Sequence, residues 1–416
     1  MPGPTMFAPQ CRVRRGAALT LVFAGVLAAG AAAGAFDADT DDGRTPAYGA
    51  PARTAARAVD RNAVDRRAVE AAAEAAAQNG RSGSEAAAEV VSRSGDSWGA
   101  VYSAREYEGF ALALDGAYVG VGLTIRRTPD GRMEAGGVVP GSPAEHAGIA
   151  SGDRIVGIDG TDVTGRPVTE VVSLLRGDRL RDGRSSSAAW GRPDGVGTSV
   201  RLELRRGGRR WERTLRRERL VTRSVEVERI GDGDGAGPPA TLVKVASFTK
   251  GTGERVREAV AAAAPGEGVV LDLRGNSGGL VTEAATAASA FLDGGLVATY
   301  DVHGRQQALR AEPGGDTRRP LVVLVDGGTM SAAELLAGAL QDRGRAVVVG
   351  SWTFGKGSVQ MPSRLPDGSV AELTVGHYRT PAGRRVDGAG IAPDLAVRGD
   401  AEQRARTVLG GLGGGS

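Results

Sequence analysis

The sequence predicts a chain of mixed α+β and α/β character in several domains: a helical N-terminal segment, a compact β-rich module, and an α/β layered core. Three observations predict it. Residues 225–397 alternate strand-length apolar runs with helix-length runs, the pattern of a layered α/β domain. Residues 116–217 carry short stretches of alternating apolar and polar residues separated by glycine turns, as half-buried strands do. Residues 55–92 are rich in Ala, Arg and Glu, which favour helix. The 416 residues fit two to three domains at roughly 100–200 residues each.

Taken in order, residues 1–36 read as an export signal. Arg12, Arg14 and Arg15 precede a run, 17–34, that is apolar or small apart from Thr20. Small residues at 31–35 then lead into Asp37, Asp39, Asp41 and Asp42. Such a charged start, apolar stretch and small-residue exit is what export machinery reads, and it is either cleaved or retained as an anchor. Residues 37–54 read as a disordered linker. Residues 55–115 form the helical region, with helices over 55–77 and 84–92 broken at Asn79-Gly80. In the β-rich module, strands are expected at 119–126, 133–139, 154–158 and 199–205. A short helix starts at Gly141-Ser142-Pro143, an amphipathic one spans 168–175, and the polar stretch 178–196 is a surface insertion. The core, 218–400, is expected to run strand 242–247, helix 253–263, strand 268–273, helix 282–291, strand 321–325, helix 331–341 and strand 346–349. Residues 401–416, ending in glycines, read as a flexible tail.

Composition narrows the function. Basic and acidic residues nearly cancel, 52 against 49, which gives no reason to expect a nucleic-acid partner. The single cysteine, Cys11, forms no internal disulfide. Metal-ligand spacings of His and Cys are absent, so no metal and no cofactor are expected. Only three lysines occur, Lys244, Lys250 and Lys356, against 49 arginines. A buried lysine can lose its proton and act as a base, whereas arginine stays charged.

Two residues carry the candidate chemistry. Ser331 follows a buried strand and the turn Asp326-Gly327-Gly328-Thr329-Met330, at a helix start where free amides and the helix dipole stabilise negative charge. The Ala332 amide is a candidate oxyanion donor there. Lys356, between two glycines and 25 residues further on, is the candidate base, and Gln360 is placed to orient its amine. Of the three histidines, His146 falls in the β-rich module, His303 in an expected hairpin, and nothing marks His377; a Ser–Lys pair requires none of them. Gly275-Asn276-Ser277-Gly278-Gly279 resembles the nucleophile loop of chymotrypsin-like proteases, which makes Ser277 a rival nucleophile. The better use of that loop is its backbone, with Gly279 as a second oxyanion donor.

These segments together resemble the carboxy-terminal processing peptidases, also called tail-specific proteases, over about residues 92–397. Leu271-Asp272-Leu273-Arg274-Gly275-Asn276-Ser277-Gly278-Gly279 is similar to the family's Gly-rich oxyanion segment. Gly328-Thr329-Met330-Ser331-Ala332-Ala333-Glu334 is similar to its nucleophile motif, and Phe354-Gly355-Lys356-Gly357-Ser358-Val359-Gln360 to its general-base motif. The resemblance implies a crotonase-like core, Ser331 as nucleophile, Lys356 as base and Gln360 as the residue that positions it. Asp342 matches a family position with a structural part. Tyr378-Arg379-Thr380-Pro381-Ala382-Gly383 and Gly390-Ile391-Ala392-Pro393-Asp394 resemble the segments that close the catalytic domain.

The β-rich module resembles a PDZ domain through Tyr118-Val119-Gly120-Val121-Gly122-Leu123, Gly141-Ser142-Pro143-Ala144 and Gly148-Ile149-Ala150-Ser151-Gly152-Asp153. It implies that Gly120, Val121, Gly122 and Leu123 present amides to the carboxylate of a protein or peptide tail bound as an added strand. Tail binding would then gate the Ser–Lys pair. Met330 and Ala333 depart from the family pattern beside the nucleophile, and the insertion at 178–196 interrupts the module. The expected activity is serine endopeptidase action outside the cytoplasmic membrane. The alternative is an inactive tail-binding scaffold in the cell envelope.

Overall fold

A computed structural model describes residues 65–177, 195–231, 238–302 and 305–413. The proposed export signal, the linker, His303 and most of the 178–196 insertion lie outside the described residues. Among the described residues, no helix is long and apolar enough to cross a membrane.

The N-terminal region is a helical pair. Helix α1 (Arg66–Gln78) starts where Asp65 accepts from the Arg67 amide, and α2 (Gly83–Arg93) starts where Ser82 accepts from the Glu85 amide. Val69 and Ala73 of α1, one turn apart, meet Ala87 and Val91 of α2, and both pairs close on Leu365, Ala371 and Leu373 of the core. Strand β1 (Ala100–Tyr102) follows, then α3 (Ala104–Leu114), which opens with a reciprocal Ser103–Glu106 cap. This region is built into the core by both packing and strand pairing.

The β-rich module is entered through β2 (Ala117–Gly120) and left through β9 (Glu218–Val221), which pair antiparallel into a two-stranded ribbon. Between them run β3 (Leu123–Arg127), β4 (Met133–Val138), α4 (Pro143–His146), β5 (Arg154–Ile158), β6 (Thr161–Asp162), α5 (Val168–Arg176), β7 (Ser199–Arg206) and β8 (Arg209–Arg216). The sheet order is β3-β4-β5-β7-β8, with β6 on β5. Met133, Ile155, Ile158, Leu202 and Leu204 fill its interior against Val171 and Leu175 of α5. Buried Arg217 closes the C-terminus of α5, donating to the carbonyls of Leu174 and Leu175 at 3.1 and 2.7 Å, where a cation offsets the helix dipole.

Two expectations need correction here. The strand expected over 119–126 is two strands, because the chain turns at Gly122, whose φ is +82°. The strand at 199–206 does not end the sheet; β8 follows it. Its run of arginines hid it, and charged side chains are what a sheet-edge strand carries.

The core sheet has the order β10-β11-β12-β15-β16-β19. It comprises β10 (Val225–Ile230), β11 (Ala240–Val245), β12 (Gly268–Asp272), β15 (Leu321–Val325), β16 (Val347–Gly350) and β19 (Leu395–Ala396). All neighbours are parallel except β10 and β11. Strands β12 and β15 are buried throughout, as parallel strands covered on both faces must be. Alternate residues point to opposite faces. Val269, Leu271, Leu321 and Val323 pack under α6 (Thr252–Ala262), α7 (Val281–Ala288) and α8 (Ala332–Asp342). Val270, Val322 and Leu324 face the other way, onto α9 (Ala401–Gly413).

Helix α9 overturns the flexible tail expected at 401–416. Ala401, Ala405 and Leu409 recur every four residues and seat the helix on the sheet; the terminal glycines concealed that stripe. A second sheet, also largely unforeseen, has the order β1-β18-β13-β14 with β17 on β18. It joins β13 (Leu296–Val302), β14 (Arg305–Arg310), β17 (Ser358–Arg364) and β18 (Val370–Arg379). Strands β13 and β14 pair on either side of His303.

Candidate active site

Ser331 stands between β15 and α8. Its turn is stitched to the glycine loop after β12: the Met330 amide donates to the Asn276 carbonyl at 2.8 Å, Thr329 Oγ1 donates to the Leu273 carbonyl at 2.9 Å, and Asp326 Oδ1 accepts from the Gly275 amide at 2.9 Å. Asn276 is held by the Val245 carbonyl and itself accepts from the Gly278 amide. Ser331 has φ +52°, shared among described non-glycine residues only with Asp159. Backbone in that region is costly for a residue with a side chain and persists where the surroundings impose it, often at functional sites. A Cβ on Gly278 would lie 3.0 Å from Ser331 Cβ and 3.2 Å from the Ala332 nitrogen, so the glycine loop lies directly against the Ser331 turn. Neither the Gly279 nor the Ala332 amide donates to an acceptor among the described residues.

Lys356 precedes β17. Two buried side chains join its backbone to that of Ser331. The Glu334 carboxylate, on the first turn of α8 and 0% exposed, accepts from the amides of Ser331 at 2.8 Å, Gly355 at 2.7 Å and Lys356 at 2.9 Å, and from Thr353 Oγ1 at 2.5 Å. Burial raises the Glu334 pKa above the ordinary carboxylate range, and the four donors oppose that rise. From the other side the Tyr378 hydroxyl shares its proton between the carbonyls of Ser331 at 2.8 Å and Lys356 at 3.1 Å. Burial pushes the Tyr378 pKa far up, so it stays a donor. The sequence places Glu334 in the nucleophile-like motif and Tyr378 in a segment that closes the catalytic domain, but assigns neither a part in the site. Glu334 was visible three residues after the Ser331 cap, where capping carboxylates recur; Tyr378 left no comparable signal.

Lys356 is half-buried, and desolvation lowers its pKa, against the opposing pull of Glu372, Asp96 and Glu334. Its Nζ lies 4.9 Å from the centre of the Trp98 ring. Gln360 donates from Nε2 to Ser358 at 2.8 Å and Thr374 at 3.2 Å; both amide hydrogens are thereby engaged and the carbonyl oxygen is left to accept. Ser277 is buried in the glycine loop at 8% exposure. His146 lies in the β-rich module, at the end of α4, and His377 Nδ1 is 3.5 Å from Asp387. Asp342 accepts from the Ala382 amide at 2.8 Å and pairs with Arg384, pinning the 380–384 turn.

In the β-rich module, β3 pairs only with β4 among the described residues, and α5 packs against it. The Val121 and Gly122 carbonyls of the loop Gly120–Leu123 turn inward, accepting from the amides of Ala144 and Val139, both at 2.9 Å.

The architecture is that of a PDZ module carried on a peptidase-type α/β core. Residues 240–397 match the model of peptidase family S41, and residues 134–181 that of the PDZ domain. Residues 240–397 thus form a peptidase family S41 domain and residues 134–181 lie in a PDZ domain. It is 34% identical over 320 residues to carboxyl-terminal-processing peptidase 3, chloroplastic, of Arabidopsis thaliana, covering 74% of this chain and 58% of that protein. It is 31% identical over 291 residues to the carboxy-terminal processing protease CtpA of Bacillus subtilis, covering 69% and 57%. The chain thus spans less than two thirds of the length of these relatives. Among solved structures, the photosystem II D1 C-terminal processing protease aligns over 79% of this chain and 86% of its own at 28% identity, with a TM-score of 0.45.

Proposed function

We propose that the chain is a serine endopeptidase that engages protein substrates by their C-terminal tails and cleaves them through Ser331 and Lys356. The observation that carries this reading is the shared frame of Glu334 and Tyr378, which ties the backbones of the two residues together, with the lysine pKa lowered by desolvation. A desolvated amine of lowered pKa can take the hydroxyl proton. Ser331 Oγ attacks the scissile carbonyl carbon as Lys356 Nζ accepts its proton. The amides of Gly279 and Ala332 receive the oxyanion. Collapse of the tetrahedral adduct breaks the C–N bond, and the lysine proton passes to the departing amine. Water, activated by the neutral lysine, then releases the acyl group and regenerates Ser331. Gln360, with its amide hydrogens engaged, offers its carbonyl oxygen to orient the amine. The edge of β3 beside α5 suits an added peptide strand, with the Gly120–Leu123 loop at its carboxylate end. Tethering there raises the concentration of substrate at the pair. Residues 1–36 direct export.

The test is hydrolysis of an unstructured reporter with an apolar C-terminus. Ser331→Ala and Lys356→Ala should abolish turnover and Ser277→Ala should not. Loss confined to Ser277→Ala moves the nucleophile to the glycine loop, and no turnover in the wild type leaves a tail-binding scaffold.

A further inference from the structure

The N-terminal region reaches the site through a single turn. Asp96 Oδ1 accepts from the amides of Trp98 at 3.0 Å and Gly99 at 2.8 Å, which fixes the turn. The same carboxylate accepts from the Thr374 amide at 2.9 Å and the Thr374 hydroxyl at 2.8 Å, which fastens the turn to β18. Strand β1 continues the attachment, with Ala100 opposite Glu372. The indole also packs edge-on with Phe354, ring centres 5.8 Å apart at 65°. Residues 65–102 thus deliver one aromatic face, rigidly placed, to the Lys356 amine.

We propose that Trp98 is the positioning residue for Lys356, its indole face seating the side-chain amine and covering it from solvent, so that the N-terminal region is a working part of the active site. This rests on the reading of Lys356 as the general base. The two effects of the ring oppose one another. Its π-face attracts an ammonium, while its bulk excludes the water that would solvate one. Among the described residues, the charged groups acting on the amine include Glu372 of β18, Asp96 of the turn and Glu334 of α8, all of which favour the charged form. Tyr378, on the lysine's own carbonyl, stays neutral. Altering the ring changes no charge beside the amine.

Three lysines in the whole chain make a direct measurement practical. In protein labelled with 13C at lysine Cε, Lys356→Arg identifies the Lys356 signal. Its methylene protons should be shifted upfield by the indole ring current and return downfield in Trp98→Ala. Replacing tryptophan by a ring-fluorinated analogue keeps the cover and weakens the π-face, so the Lys356 titration should move to lower pH. Trp98→Ala admits water, so the titration should move to higher pH, and the rising limb of the kcat/KM profile should follow it. Unchanged Lys244 and Lys250 signals report an intact fold. Absence of the upfield shift, or a titration that neither change moves, overturns the proposal. A wild type that shows both responses but hydrolyses nothing overturns the peptidase reading and leaves the Trp98 contact standing.

Discussion

The Tyr378 hydroxyl donates to the carbonyl of Ser331 at 2.8 Å while lying 3.1 Å from that of Lys356. One proton thus fixes the spacing of two loops from different strands, and only the backbone of each is involved. Removing it leaves both side chains chemically intact. Tyr378→Phe should cost about 1–2 kcal/mol of stability, the range for a hydrogen bond lost beside buried acceptors. Positioning errors cost more in rate than in stability, so kcat/KM should fall roughly tenfold or more with KM nearly unchanged. Steady-state kinetics with denaturant unfolding separates the two; an equal rise in KM would place Tyr378 in substrate binding instead.

Lys356, the proposed base, links activity to stability. Its folded pKa lies below its ordinary value of 10.5, so between the two the unfolded chain binds more protons than the folded one. Its contribution to stability is fully present above the ordinary lysine pKa and is lost as pH falls through the folded value. The unfolding free energy of the wild type should therefore rise with pH above neutrality, and Lys356→Met should remove that rise. The rate should climb over the lower end of the same window, as the amine becomes neutral. Parallel pH profiles of unfolding for the two proteins check it; superimposable slopes would return Lys356 to ordinary solvation.

Both partners of that proposed chemistry were legible because each is announced locally, Ser331 by a buried strand, a glycine turn and a helix start, Lys356 by flanking glycines and the scarcity of lysine. The parallel sheet was legible for the same reason, since runs such as Leu321–Val325 are apolar at every position. What escaped was whatever depends on pairing distant in sequence. Trp98 and Lys356 share no periodicity, and β17 and β18 mix Ser, Gln, Glu and Thr with apolar residues because one hairpin packs on α2 and lines the site at once. Helix α9 was hidden by its composition, Gly410, Gly411 and Gly413 diluting a stripe at Ala401, Ala405 and Leu409.

Glu334 tests whether its four bonds act as a hub. Were it only an N-terminal cap partner, its loss would cost about 1 kcal/mol. In Glu334→Gln one end of the side chain becomes an NH2 group facing amides and a hydroxyl that already donate. Buried donors left without acceptors cost about 1–3 kcal/mol apiece, so destabilisation of at least about 3 kcal/mol is expected, with activity lost. Urea unfolding midpoints decide between the two figures.

Gly278 tests the contact between the glycine loop and the Ser331 turn. Its φ is +96°, and an added Cβ would lie 2.9 Å from the Met330 carbonyl oxygen. Neither obstacle can be relieved by a side-chain rotation, because both are backbone. Gly278→Ala should push the loop away from the Ala332 amide and reduce kcat about a hundredfold, the loss typical of a displaced oxyanion donor. Reaction with an active-site serine reagent that needs no oxyanion stabilisation should be less affected; an equal loss would point to collapse of the turn itself.

Gly122 separates tail recognition from cleavage. Its φ is +82°, and a Cβ there would come within 2.2 Å of Ser142 Cβ, so alanine must displace the loop whose amides are proposed to meet the tail carboxylate. That loop belongs to the module between β2 and β9, joined to the core through the ribbon at Ala117–Gly120 and Glu218–Val221. The displacement should stay within the module. For a reporter with a free apolar C-terminus, Gly122→Ala should raise KM about tenfold, equivalent to roughly 1.4 kcal/mol of binding. The same reporter with an amidated C-terminus already lacks the carboxylate, so wild type and variant should handle it alike. Equal losses on both reporters would mean that the loop serves the catalytic pair directly, and a variant indistinguishable from wild type on both would remove Gly120–Leu123 from tail binding.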